Sequence, residues 1–162
     1  MKCNLMKKIP KEAIQAIEMI EELLDSILVG VYLYGSAVMG DLRINSDVDI
    51  LVVTNHGLSE KTRRDLTNRQ MFISGEIGNI NAIRPLEATV INKNDILPWH
   101  FPPKYEFMYG KWLREQFEKG EIPRPTYDPD LVILLAQARE NNITLFGVNV
   151  AEVFEPVSIK DI

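Results

Sequence analysis

Two apolar runs, Val29 to Tyr34 (VGVYLY) and Ile50 to Val53 (ILVV), bracket a segment in which Gly35-Ser36 leaves the first run and Asp47-Val48-Asp49 enters the second. Both runs are rich in β-branched and aromatic residues, so both read as buried strands. Gly35 lets the chain leave the first strand in a backbone conformation barred to residues with a Cβ. Ser36 then stands at a helix start, where unpaired N–H groups favour an anion such as a phosphate, and Gly40 marks that helix's early end.

Asp47 and Asp49 are two residues apart, which on a strand sets them on one face, about 6.7 Å apart at a rise of ~3.3 Å per residue. Two carboxylates so placed repel each other unless a cation joins them. Hard oxygen ligands at this spacing suit Mg²⁺, which keeps waters and shares its remaining positions with substrate phosphates. Ser46 is suited equally to capping a turn and to holding a phosphate. Phosphate-binding backbone directly upstream of two metal-ligand carboxylates points to nucleotidyl transfer.

A third apolar run, Leu86 to Ile91, carries an acid at Glu87. An acid inside an apolar strand is costly unless it is paired, metal-bound or at the sheet's edge. By residue type Glu87 fits a general base and a third metal ligand equally, and an edge-strand glutamate in water is the bland alternative. The rest of the chain reads as α/β without repeats. Pro10 to about Leu24 forms an amphipathic helix with Ile14, Ile17, Ile20, Leu23 and Leu24 as its stripe. Ser59 caps a helix to about Ile73 whose Lys61, Arg63, Arg64 and Arg69 form a solvated basic face. Asp128-Pro129-Asp130 starts a helix from Leu131 to Asn142, and Ile143 to Phe146 is a short terminal strand.

At 162 residues, 46% of them hydrophobic, the chain can bury one core of ordinary size. A single cysteine, Cys3, excludes an intrachain disulfide and fits a reducing compartment. The absence of any segment near the ~18 apolar residues of a membrane span, and of a signal-peptide core, points to a cytoplasmic protein with no membrane partner. The net charge of −5 disfavours a nucleic-acid partner, because such domains carry a basic footprint.

The string GSAVMGDLRINSDVDILVV resembles the signature of the DNA polymerase β-like nucleotidyltransferase superfamily. Together with RPLEATVIN, YGKWLRE, YDPDLVILLAQAR and ITLFG, it is similar to the aminoglycoside adenylyltransferases that modify spectinomycin and, in some members, streptomycin. The resemblance implies an α/β (α+β) fold with a mixed, twisted sheet flanked by helices. It implies transfer of AMP from ATP to an antibiotic hydroxyl, with one or two Mg²⁺ ions held by Asp47 and Asp49, and with Glu87 as proton acceptor or third ligand. Gly35, Ser36, Ser46 and, more weakly, Arg139 would lie toward the nucleotide, and Trp112 toward the antibiotic. Residues 1–157 would form the nucleotidyltransferase domain. Residues 158–162, where Ser158 and Asp161 resemble a capping box, would start a helical second domain that walls the antibiotic cleft. The face left by that domain would favour self-association. The chain departs from the family at Tyr105, where relatives commonly carry arginine. A minimal nucleotidyltransferase acting on a protein partner, as in antitoxin-type enzymes, and a non-catalytic nucleotide-binding module are the alternatives.

Overall fold

The computed structural model describes residues 9–39, 47–73, 85–110, 114–157 and 161. Among the described residues seven strands and five α-helices follow one another as α1 (Lys11–Leu24), β1 (Leu28–Tyr34), α2 (Ser36–Met39), β2 (Val48–Thr54), α3 (Glu60–Ile73), β3 (Leu86–Asn92), β4 (Lys104–Tyr105), β5 (Phe107–Tyr109), α4 (Arg114–Glu118), β6 (Thr126–Tyr127), α5 (Leu131–Glu140) and β7 (Asn142–Gly147). Five of the strands make one sheet in the order β5-β3-β2-β1-β7, and β4 and β6 pair separately. Within the main sheet β2 and β3 run parallel, whereas β1 is antiparallel to β2 and β7, and β5 is antiparallel to β3. The sheet is therefore mixed, as the sequence leads one to expect.

Each central strand alternates between two hydrophobic layers, which is why its sequence is apolar almost throughout. Val31, Leu33, Val48, Ile50, Val52, Leu86 and Val90 pack on one face beneath α1 and α3. Tyr32, Tyr34, Leu51, Val53 and Ile91 pack on the other face, beneath Leu131, Leu135 and Ala138 of α5. Helix α1 presents Ile17, Ile20, Leu23 and Leu24 of the expected stripe to the core, but not Ile14. Its buried residues are Glu12, Ala13, Ala16, Met19, Ile20 and Leu24, while Ile14 is 39% exposed. The small side chains of Ala13 and Ala16 let the helix seat closely on the sheet, and Ile14 is left in a shallow groove beside Leu145.

Two further expectations are corrected. The last helix stops at Glu140, so Asn142 is the first residue of β7 rather than the end of a helix. Arg63 does not belong to a solvated face. Its guanidinium reaches the buried Glu106 carboxylate at 3.0 Å, and the same oxygen accepts a 2.8 Å hydrogen bond from the Leu58 amide. The remaining basic residues of α3 are exposed as expected, with Arg69 tied to Glu22 of α1 at 2.8 Å. Ser59 caps α3 by accepting from the Thr62 amide at 3.1 Å. Among the described residues, no helix is long and apolar enough to cross a membrane.

Candidate active site

Strand β1 ends at Tyr34, and Gly35 turns the chain with φ at 76°, in the left-handed region that favours glycine. α2 begins at once with Ser36. The turn lies directly against β2, since a Cβ built on Gly35 would collide with the Asp49 carboxylate. A strand leaving its sheet beside an acid thus sets the Gly-Ser turn and the Asp-x-Asp pair in one place. Gly40 and Ser46 lie outside the described residues.

The parallel pairing of β2 and β3 brings in the third acid. Asp49 is the register partner of Glu87, and the Val48 amide donates to the Pro85 carbonyl at 2.8 Å, which fixes that register. β3 lies between β2 and β5, so Glu87 is not on a sheet edge. The edge-strand alternative for this residue is therefore set aside. Asp47, Asp49 and Glu87 are each half-buried. Burial first, then hydrogen bonding to Asp47 and Asp49 and the repulsion of their charges, push the Glu87 carboxyl up to about 9. The same neighbourhood holds the Tyr34 phenol above its ordinary range, through burial and then the charges of Asp49 and Glu87.

Crowded, partly buried carboxylates of this kind are the donor set of a hard divalent cation. One Asp47 oxygen is wholly shielded from solvent. Among the described residues the acids do not close a three-ligand cage by themselves. Mg²⁺ does not require one, because it commonly takes one or two carboxylates and completes its shell with waters and substrate phosphates.

The other expected residues fall as follows. β5 runs antiparallel along β3 with Tyr109 opposite Ala88, one register position from Glu87, and Trp112 lies outside the described residues. Arg139 sits in the last turn of α5, at the end of the sheet that holds the acids, because β7 begins beside Tyr34. Its Nε donates to the Phe154 carbonyl at 3.0 Å. His56 and His100 are exposed, and His56 follows the opposite end of β2, away from the acids.

Sequence reasoning did not single out Tyr34 and Asn142 as part of this end of the sheet. Tyr34 carries a local signal, since it directly precedes Gly35. Asn142 carries none, because its place beside Tyr34 exists only through β1–β7 pairing.

Comparison with known proteins agrees with this geometry. The family described as "Nucleotidyltransferase domain" matches residues 14–113. The spectinomycin 9-adenylyltransferase of Staphylococcus aureus is 57% identical over 155 residues, covering 96% of this chain and 60% of the relative. The aminoglycoside (3'')(9) adenylyltransferase of Klebsiella pneumoniae is 37% identical over 158 residues, covering 98% and 60%. The crystal structure of spectinomycin adenyltransferase AAD(9) from Enterococcus faecalis with ATP and spectinomycin superposes with a TM-score of 0.89 at 34% identity, covering 93% of this chain and 61% of that one. The chain thus spans about three-fifths of the length of these relatives. The fold is that of the AAD(9) nucleotidyltransferase. With the Gly-Ser turn, the Asp-x-Asp pair and the strand that carries Glu87 all inside residues 14–113, this chain belongs to the nucleotidyltransferase domain family.

Proposed function

We propose that this chain carries the ATP-binding and catalytic acids of an adenylyltransferase that moves AMP from ATP to a hydroxyl of an aminocyclitol antibiotic, spectinomycin first and streptomycin second. The observation that carries the reading is the meeting of the Gly35-Ser36 turn, Asp47, Asp49 and Glu87 at one end of the sheet. The likeness to spectinomycin adenylyltransferases supports the acceptor.

Asp47 and Asp49 would hold one or two Mg²⁺ ions, which when bound neutralise triphosphate charge and stabilise the pyrophosphate leaving group. The Gly35 turn and Ser36, with Ser46, hold phosphate oxygens, and Arg139 adds a cation at the same end. Glu87 accepts the proton of the attacking hydroxyl. The hydroxyl oxygen then forms a bond to the α-phosphorus as the bond from that phosphorus to the bridging oxygen breaks, and pyrophosphate leaves with the electron pair. Without a cation the Glu87 carboxyl, raised to about 9, holds its proton at neutral pH; positive charge at Asp47 and Asp49 would offset their repulsion and favour the carboxylate form that a base needs. Trp112 contributes an aromatic surface toward the antibiotic.

The test is a mass spectrum of spectinomycin and of streptomycin after incubation with the full chain, ATP and Mg²⁺. The expected product is spectinomycin heavier by one adenylate, lost in Asp47→Asn while the fold persists. Undiminished turnover by Asp47→Asn would sink the mechanism. Adenylate appearing on a lysate protein and on neither antibiotic would replace the acceptor with a polypeptide. Tight ATP binding without transfer to any acceptor would leave a nucleotide-binding module.

A further inference from the structure

Four polar side chains stand in one row across the sheet. Glu87 of β3 pairs in register with Asp49 of β2, Asp49 with Tyr34 of β1, and Tyr34 with Asn142 of β7. Register partners share a face of the sheet. The packing agrees, because Tyr34 belongs to the layer beneath α5, whereas Ile143, next to Asn142, packs toward the α1 and α3 side. With strands ~4.8 Å apart, the row is about 14 Å long from Glu87 to Asn142.

In-line displacement needs a line of the same kind, along which attacking oxygen, α-phosphorus and leaving pyrophosphate follow one another. On the adenylyl-transfer reading, Glu87 marks the end from which the hydroxyl arrives, and Asp49 marks the α-phosphorus. The Gly35-Ser36 turn follows Tyr34 directly and marks the phosphates beyond it. One strand further lies Asn142, half-buried at the start of β7. Arg139, three residues earlier in the chain, donates from its Nε to the Phe154 carbonyl at 3.0 Å. We infer that Asn142 is a nucleotide-binding residue whose side-chain amide donates a hydrogen bond to a terminal phosphate oxygen of ATP, holding the pyrophosphate half of the substrate. This assignment rests on the adenylyl-transfer reading and adds a residue to it.

The experiment measures, by calorimetry with Mg²⁺ present, the affinities of the full chain for ATP, pyrophosphate and AMP in the parent, Asn142→Ala and Asn142→Asp forms, together with their thermal midpoints. Alanine should weaken ATP and pyrophosphate about ten-fold, the worth of one hydrogen bond to a charged group. Aspartate, nearly the same shape as the amide, should weaken them further by repelling the phosphates, and it keeps the test open should alanine loosen the strand. AMP should bind equally to all three. Unchanged ATP affinity in both variants overturns the assignment of Asn142 while leaving the adenylyl-transfer reading intact. A parallel loss of ATP and AMP overturns it too, because that is the mark of a purely structural residue. A parent chain that binds no ATP overturns both.

Discussion

Replacing Gly35 with alanine separates backbone strain from damage to the acids. At φ 76° a Cβ costs about 1–2 kcal/mol, whatever surrounds it. The new Cβ would also stand 3.3 Å from Asp49 Cγ, and nearer still to one carboxylate oxygen than real Cβ contacts allow. That oxygen is the terminal atom of a side chain, so it gives way more readily than backbone would. On the metal-ligand role proposed for Asp49, the swing displaces a ligand oxygen by about 1 Å, and a misplacement of that size costs roughly 10²-fold in rate. Gly35→Ala should therefore lose about 1–2 kcal/mol in urea unfolding and about a hundred-fold in adenylyl transfer. Gly120→Ala is the matched control: φ is 93° there, and a Cβ would meet nothing within 4 Å. It should show a similar stability loss with transfer unchanged. Gly35→Ala working at the parent rate would refute the reasoning, and so would Gly120→Ala losing transfer as severely as Gly35→Ala.

Three other outcomes follow from the charges and hydrogen bonds. Glu87 is raised from 4.5 to about 9, so the folded state holds its proton more tightly than the unfolded chain. Its contribution is fully present below pH 4.5 and is lost as pH rises toward 9. In metal-free buffer Glu87→Gln should flatten that slope, matching the parent at pH 4 and exceeding it at pH 8 by about 1–2 kcal/mol after allowance for solvent screening. Equal pH slopes in chemical denaturation would contradict this. Glu106→Ala would strand the 15%-exposed Arg63 side chain without its counter-charge and should cost about 3–5 kcal/mol in urea unfolding. Tyr32→Phe would remove a 2.7 Å hydrogen bond to the Val148 carbonyl and should cost about 1 kcal/mol in the same assay, with ATP affinity unchanged.

Much of the architecture was legible in the sequence because it is coded locally. β1, β2 and β3 appear as largely apolar runs, since each is buried on both faces, with Asp49 and Glu87 as the acids that break the pattern. Gly35 announces a turn that the backbone indeed makes at positive φ. The faces of α1 were less legible. Periodicity proposed a stripe of Ile14, Ile17, Ile20, Leu23 and Leu24, and all of these but Ile14 pack on the core, while Ala13, Ala16 and the fully buried Glu12 complete the buried face instead. Arg63 looked like one member of a basic face, and only the return of the chain at β4 and β5 places Glu106 against it.

The candidate site divides along the same line. Gly35, Ser36, Asp47 and Asp49 lie close enough in the chain for a strand–turn–strand reading to connect them, and Glu87 stood out as an acid in an apolar strand. Local residue chemistry by itself therefore pointed to nucleotidyl transfer and to the carboxylates to suspect. It did not determine that Glu87 faces Asp49, that β3 is interior, or that Asn142 begins a strand instead of ending a helix. Those facts are inter-strand registers, set by how β3 and β7 dock on β2 and β1. Register is a property of pairing between distant segments, and a slip of one residue would turn every side chain of a strand to the other face. The sequence supplied the reactive groups; the tertiary pairing set them in a row.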